Sequence, residues 1–288
     1  MTACKAILCI DAGGTFFKYT CFDRDGNMLF PPCMAAVNSQ GGRDEIIRVY
    51  ADIFKNVSEK YDILSIGIAT PGPFDYNACE SLMTHKFKSL YKINLKNELC
   101  SSLGRELPIS FMSDTNAFLL GSYDGAEPCI GITIGTGLGM AVMSGGRLIT
   151  NSAGGPCEVI YNKPAEGGKT VEDYVSGRGI SEMYSSYSGE KLSAKEISVL
   201  ARGGNEKAML CFNRLGAALG TTVNEYVAKY NAEKIILGGQ VSKSGDLFSD
   251  EMQKHIMRKL QISVSAEDNA ALLGIFKSFG DRNQNRLT

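Results

Sequence analysis

One strand–turn–strand pattern occurs twice in this chain, and each copy is punctuated by glycine. The first is Ala6-Ile7-Leu8-Cys9-Ile10-Asp11-Ala12-Gly13-Gly14-Thr15, an apolar run ending in a carboxylate and a glycine pair, followed by a second apolar run and the turn Asp25-Gly26-Asn27. The second is Cys129-Ile130-Gly131-Ile132-Thr133-Ile134-Gly135-Thr136-Gly137-Leu138-Gly139, followed by Ala141-Val142-Met143 and Gly145-Gly146. Glycine turns let backbone N–H groups approach an anion that side chains would hold off, so two of them can grip successive phosphates of one nucleotide. Either turn alone reads as an ordinary hairpin with glycine supplying positive φ, and neither matches the Gly-x-x-x-x-Gly-Lys-Ser/Thr loop or the dinucleotide fingerprint. The pairing favours a duplicated nucleotide clamp. So does Asp11, a carboxylate at a strand end where a metal-bound phosphate can sit.

The remaining composition narrows the classes. At 288 residues the chain exceeds a usual single domain, so two domains with a cleft between them are expected. A formal charge of −1 and the lack of a basic run leave no footprint for nucleic acid or an anionic membrane. No apolar stretch is long enough to span a bilayer and the N-terminus enters a strand almost at once, which makes the cytoplasm the simplest expectation. Of the nine cysteines, Cys4, Cys9, Cys21 and Cys129 fall in or beside strand-like runs. None form Cys-x-x-Cys, so neither a disulfide framework nor a zinc knuckle is indicated. With only His85 and His255 present, the chemistry must rest on carboxylates and backbone.

Strands alternate with helical patterns, as in an α/β fold. Ile46, Tyr50, Ile53, Phe54 and Val57 mark one face of a helix leading to a strand over Ile63–Ile68, which Thr70-Pro71-Gly72-Pro73 breaks. A helix around Leu95, Leu99 and Leu103 precedes the strand Ile109–Met112, which ends in Ser113-Asp114-Thr115-Asn116. Beyond the second hairpin, Ala208, Phe212, Leu215, Leu219, Val223 and Val227 line the longest helix. A buried strand over Lys234–Leu237 then runs into Gly238-Gly239. A final helix follows Asp268.

In this order, Asp11-Ala12-Gly13-Gly14-Thr15, Gly67-Ile68-Ala69-Thr70-Pro71-Gly72-Pro73, Asp114-Thr115-Asn116-Ala117, Gly135-Thr136-Gly137-Leu138-Gly139 and Leu237-Gly238-Gly239 resemble the ROK family of sugar kinases and sugar-responsive repressors. That family lies within the actin-like ATPase and sugar kinase superfamily. The resemblance covers nearly the whole chain. It implies an α/β fold of two actin-like ATPase (ribonuclease H-like) domains around a central cleft, each with a five-stranded sheet. A small N-terminal domain would take residues 1–117 and 267–288, with the last helix crossing back to it, and a larger C-terminal domain residues 118–266. It also implies ATP and Mg²⁺, with Asp11 holding the metal through water. Gly13, Gly14, Thr15, Thr136 and Gly137 would flank the phosphates, and Gly238 and Gly239 would lie near the adenosine. Asp114 becomes the base that receives the hydroxyl proton; from sequence alone a helix N-cap is an equally good reading of it. For the sugar, the positions matching the family are Ser113, Glu158 and Glu172, with Asn116 nearby and Gly155 beside Glu158. A pair of carboxylates suits vicinal hydroxyls because each accepts several hydrogen bonds, whereas exposed loop glutamates are the plain alternative.

Several positions depart from the family pattern. Zinc-dependent members carry a His and a Cys-x-Cys-Gly-x-x-Gly-Cys cluster, but here Tyr161 and Thr170 stand in those places and Pro164–Lys169 has no cysteine, so no zinc is expected. Lys18 is displaced from the lysine that commonly follows the first motif, which leaves phosphate contacts near Phe16 open. A tyrosine at position 161 without zinc is similar to a branch that phosphorylates β-glucosides. The expected activity is therefore ATP-dependent phosphorylation of the primary hydroxyl of a hexose such as glucose or an N-acylhexosamine, with a cellobiose-type glycoside as the alternative. A sugar sensor is the reading from another class. It is disfavoured because the first nucleotide strand begins near Lys5, leaving no room for a helix-turn-helix extension, and because Asp11, Asp114 and both turns occur together. The partner is then a small-molecule sugar, neither nucleic acid nor membrane. Which sugar, and whether the chain forms a homodimer, stay open.

Overall fold

The computed structural model describes residues 3–284; residues 1–2 and 285–288, the outer ends of the expected N-terminal domain, lie outside the described residues. The chain divides into two compact units. One holds the described residues through Gly121, the segment Thr150–Gly155 and the residues from Asn269 on; the other holds Ser122–Ile149 and Pro156–Asp268.

The first unit begins with β1 (Cys4–Ala12), β2 (Phe16–Phe22) and β3 (Cys33–Ala36), followed by α1 (Arg43–Ser58) and β4 (Tyr61–Thr70). A small hairpin, β5 (Phe74–Asp75) and β6 (Glu80–Ser81), leads to α2 (Leu95–Leu103), β7 (Ile109–Ser113) and α3 (Asp114–Ser122). The sheet runs β3-β2-β1-β4-β7, antiparallel on the β1–β2–β3 side and parallel across β1, β4 and β7. All five α1 residues picked by periodicity are buried, and they meet Leu95 and Leu99 of α2 over the sheet. Asn94 caps α2 by accepting from the Asn97 N–H, and Gly104 ends that helix at φ 63°.

The second unit repeats this plan. Its strands are β8 (Cys129–Ile134), β9 (Leu138–Ser144), β10 (Arg147–Ile149), β11 (Lys234–Gly238) and β12 (Gln261–Val264), with α4 (Gly177–Ser188), α5 (Ala194–Arg202) and α6 (Glu206–Lys229) between β10 and β11 and α7 (Ser249–Lys254) before β12. The order β10-β9-β8-β11-β12 has the same pairing senses as the first sheet. The duplicated motif is thus the first hairpin of each of two sheets with one topology. Helix α6 is the spine of this unit's core through Phe212, Leu215, Leu219 and Val223, all fully buried.

The last helix, α8 (Ala270–Gln284), packs in the first unit. Along β4, Ile66 and Ile68 face the α1–α2 core while Gly67 between them faces α8, where a Cβ would lie 2.3 Å from Ile275 Cγ2. Helices α3 and α8 cross almost backbone to backbone: a Cβ on Gly121 would sit 1.8 Å from the Ala270 carbonyl oxygen, and one on Gly274 1.8 Å from that of Ala117. Phe22 stacks on Phe276 at 4.9 Å.

Candidate functional site

In the first unit the β1–β2 turn fixes a cross-strand register in which Ala12 pairs with Phe17 and Asp11 with Lys18. The turn itself is tight. Gly13 donates to the Asp11 carbonyl at 3.2 Å, and a Cβ there would meet the Phe16 carbonyl oxygen at 2.8 Å. Thr15 is exposed at its tip, with its carbonyl accepting from Val37 N–H at 2.9 Å. Burial, and then the Asp114 carboxylate, push the Asp11 carboxyl up to about 6, while Lys18 opposes them. Lys18 is therefore displaced along the chain yet lies beside Asp11 in space. The turn register implies this pairing once both strands are assigned.

Asp114 is the first residue of α3 and is half-buried. Its Oδ1 accepts from the Thr115 N–H at 2.7 Å, from Thr115 Oγ1 at 3.3 Å and from Ser113 Oγ at 3.4 Å. Ser113 Oγ shares that Thr115 N–H, accepting it at 3.2 Å. Ser113, expected at the sugar, is 2% exposed and engaged in these contacts. Asn116 is 1% exposed, and its Oδ1 has no hydrogen-bond partner among the described residues.

A residue that sequence reasoning passed over stands beside this group. Tyr76 donates from its hydroxyl to the Thr70 carbonyl at 3.1 Å. Burial and the nearby Asp114 charge raise its phenol far above the ordinary range, against a hydrogen bond with Ser113. A Cβ on Gly155 would lie 3.2 Å from Tyr76 Cε2. The turn bearing Gly155 is knotted by Asn151, whose Oδ1 accepts from both Ala153 and Gly155 N–H at 3.0 Å, and it is tied to β5 through Tyr76 N–H donating to the Ala153 carbonyl at 2.8 Å.

In the second unit three backbone segments converge on the other glycine turn. Gly135 donates to the Gly137 carbonyl, Gly177 at the start of α4 donates to the Gly135 carbonyl, both at 2.9 Å, and Thr136 is exposed between them. Gly239, at φ +88°, passes so close to β8 that a Cβ would be 2.4 Å from the Ile134 carbonyl oxygen. The Gly238 carbonyl accepts from Ser242 Oγ. Only glycine satisfies both the left-handed φ and that approach.

The two glutamates of the expected sugar pair have separate partners. Glu172 turns to the glycine turn, its Oε2 accepting from Leu138 N–H at 3.0 Å and lying 3.0 Å from a Cβ built on Gly137. Glu158 accepts from Tyr230 OH at 2.5 Å and pairs with Lys229. Burial works to raise its carboxyl, but the Lys229 and Tyr230 hydrogen bonds hold it below the ordinary range. Tyr161 is 45% exposed, and its carbonyl accepts from Glu172 N–H. The Pro164–Lys169 loop closes on itself through Ala165 N–H to the Lys169 carbonyl at 2.8 Å, and Thr170 caps the turn over Val171–Asp173. Among the described residues no three His, Cys, Asp or Glu side chains are grouped to hold a metal ion.

Two sheets of one strand order, each opening in a glycine-lined hairpin, define a duplicated α/β fold, with two aspartates near each other in the first unit. The model of the ROK family matches residues 7–281, and the chain belongs to that family. The glucokinase of Thermotoga maritima is 25% identical over 275 residues, covering 86% of each chain. The N-acetyl-D-glucosamine kinase of Haemophilus influenzae is 23% identical over 281 residues, 88% of this chain and 91% of that protein. Among solved structures, the ROK family glucokinase of Streptomyces griseus in complex with glucose and AMPPNP superposes with a TM-score of 0.77 at 22% identity, covering 95% of this chain and 98% of that one. The fold is α/β with two domains of the actin-like ATPase type.

Proposed function

We propose that this protein is an ATP-dependent hexose kinase that transfers a phosphoryl group to the primary hydroxyl of glucose or an N-acylhexosamine. The observation that carries the reading is the Asp11–Asp114 pair beside a glycine turn. A carboxyl raised to about 6 by burial and a second carboxylate is a group that binding of a cation relieves. That donor set fits Mg²⁺, which Asp11 would hold through water. When bound, Mg²⁺ would neutralise charge on the phosphates. Asp114 is the base: the hydrogen bonds it accepts among the described residues all arrive at Oδ1, so Oδ2 keeps its lone pairs for a sugar hydroxyl proton. The glycine turns present N–H groups to phosphates, and Gly238 and Gly239 leave room for the adenosine. Glu158, Asn116, Gly155 and Tyr76 are the sugar-side candidates, and Glu172 shapes the second turn. The names of the Thermotoga and Haemophilus relatives support the same substrate class.

A second reading is a β-glucoside kinase, favoured by the exposed ring of Tyr161, which is free to stack on a second sugar. A sensor without turnover is weaker, because both aspartates and both turns are kept. The working cofactors are ATP and Mg²⁺, without zinc. An ADP-release assay with Mg-ATP across glucose, N-acetylhexosamines, cellobiose and arylglucosides tests all three. Turnover of free hexoses supports the kinase as stated and turnover of glycosides alone supports the second reading. Sugar binding without ADP release would leave the sensor.

A further inference from the structure

The first glycine turn has a cation laid along it from elsewhere in the first unit. A Cβ built on Gly14 would lie 3.6 Å from Lys86 Cδ, 3.7 Å from Lys86 Cε and 3.7 Å from Ser39 Oγ. The aliphatic stem of Lys86 therefore follows the turn, with the ammonium one bond further on. Lys86 is half-buried, and among the described residues it makes no ion pair.

The segment that carries Lys86 is fixed on both sides. Gln40 donates to the His85 carbonyl at 3.0 Å, and Phe87 N–H donates to the Ser39 carbonyl at 2.8 Å. Phe87 itself is left-handed, at φ 49° and ψ 34°. A bulky residue held there is strained and persists only when its surroundings impose it. Here the Phe87 ring is 2% exposed and 6.1 Å from Phe17, the residue of β2 that pairs with Ala12 just outside the turn. A strained backbone anchored to the turn's own strand thus places a lysine over that turn.

We propose that Lys86 is a phosphate-binding residue that contacts the terminal phosphates of the nucleotide at Gly13-Gly14. The assignment to terminal phosphates follows from Asp11 on the adjacent strand end, which would hold a metal ion that neutralises charge on those phosphates, and a lysine serves phosphate as a compact point charge. This inference rests on the kinase reading.

The test is calorimetric titration of AMP-PNP and AMP, each with Mg²⁺, into the wild-type protein, Lys86→Gln and Lys86→Arg, with melting temperatures of all three compared. Lys86→Gln is expected to weaken AMP-PNP about tenfold and leave AMP within about twofold, with Lys86→Arg recovering most of the loss. Equal weakening of both nucleotides, which a merely structural role would give, overturns the proposal. So does unchanged AMP-PNP affinity. A wild-type protein that binds neither nucleotide overturns the kinase reading, and Lys86 with it, a result distinct from either.

Discussion

Asp11 is held in a protonation balance that the fold itself disfavours. Between about pH 4 and pH 6 the folded protein keeps a proton at Asp11 that the unfolded chain has released, so stability falls as pH rises through that window. Asp11→Asn removes the charge and keeps the shape. Its melting temperature should exceed that of the wild type at pH 7.5, with the difference closing toward pH 4; equal melting curves at both pH values would argue against the raised carboxyl. The same variant should lose phosphoryl transfer, a trade of activity for stability. Asp114→Asn makes the opposite comparison, because its amide cannot accept the hydroxyl proton. Its kcat is expected to drop roughly 10²- to 10⁴-fold with sugar affinity largely kept. Steady-state kinetics beside sugar titration decides it, and retention of more than about a tenth of the rate would remove the base role.

At the scale of elements, the crossing of α3 and α8 gives one substitution two signs on one helix. Gly274→Ala would drive a methyl into the Ala117 carbonyl, so it should destabilise the protein by about 1–3 kcal/mol or more. Gly280→Ala on the same helix meets nothing within 4 Å and should stabilise by about 0.5–1 kcal/mol. Denaturant titration of both variants checks the contrast. The Pro164–Lys169 loop closes by its own hydrogen bonds, so protein purified without added zinc should carry far less than one equivalent by elemental analysis. Stoichiometric zinc that resists a chelator would contradict this. These elements were readable in advance to different degrees. Helix α1 and the strand around Ile63–Ile68 follow local periodicity, and both hairpins follow their glycines. The Lys18–Asp11 pairing needs a strand register, and Lys86 reaches Gly14 only because a distant loop folds over it. The resemblance puts Glu172 with Glu158 on the sugar side; that Glu172 also accepts from the Leu138 amide is not legible in the sequence, because a backbone group is advertised by no residue type.

At the scale of the whole molecule, the repeated strand order places one glycine hairpin on each sheet, and the units differ in how their cores are completed. The second unit is finished by the stretch Pro156–Asp268 together with its own first hairpin. The first unit buries β1, β2 and β4 against α8, which comes after all of that. During synthesis, then, the first unit leaves the ribosome before the second yet matures after it: one face of its sheet, with Phe22 and the open notch at Gly67, must wait uncovered while the other unit is made. A chain released early, before Ala270, would have every strand of both sheets and still be a client for chaperones.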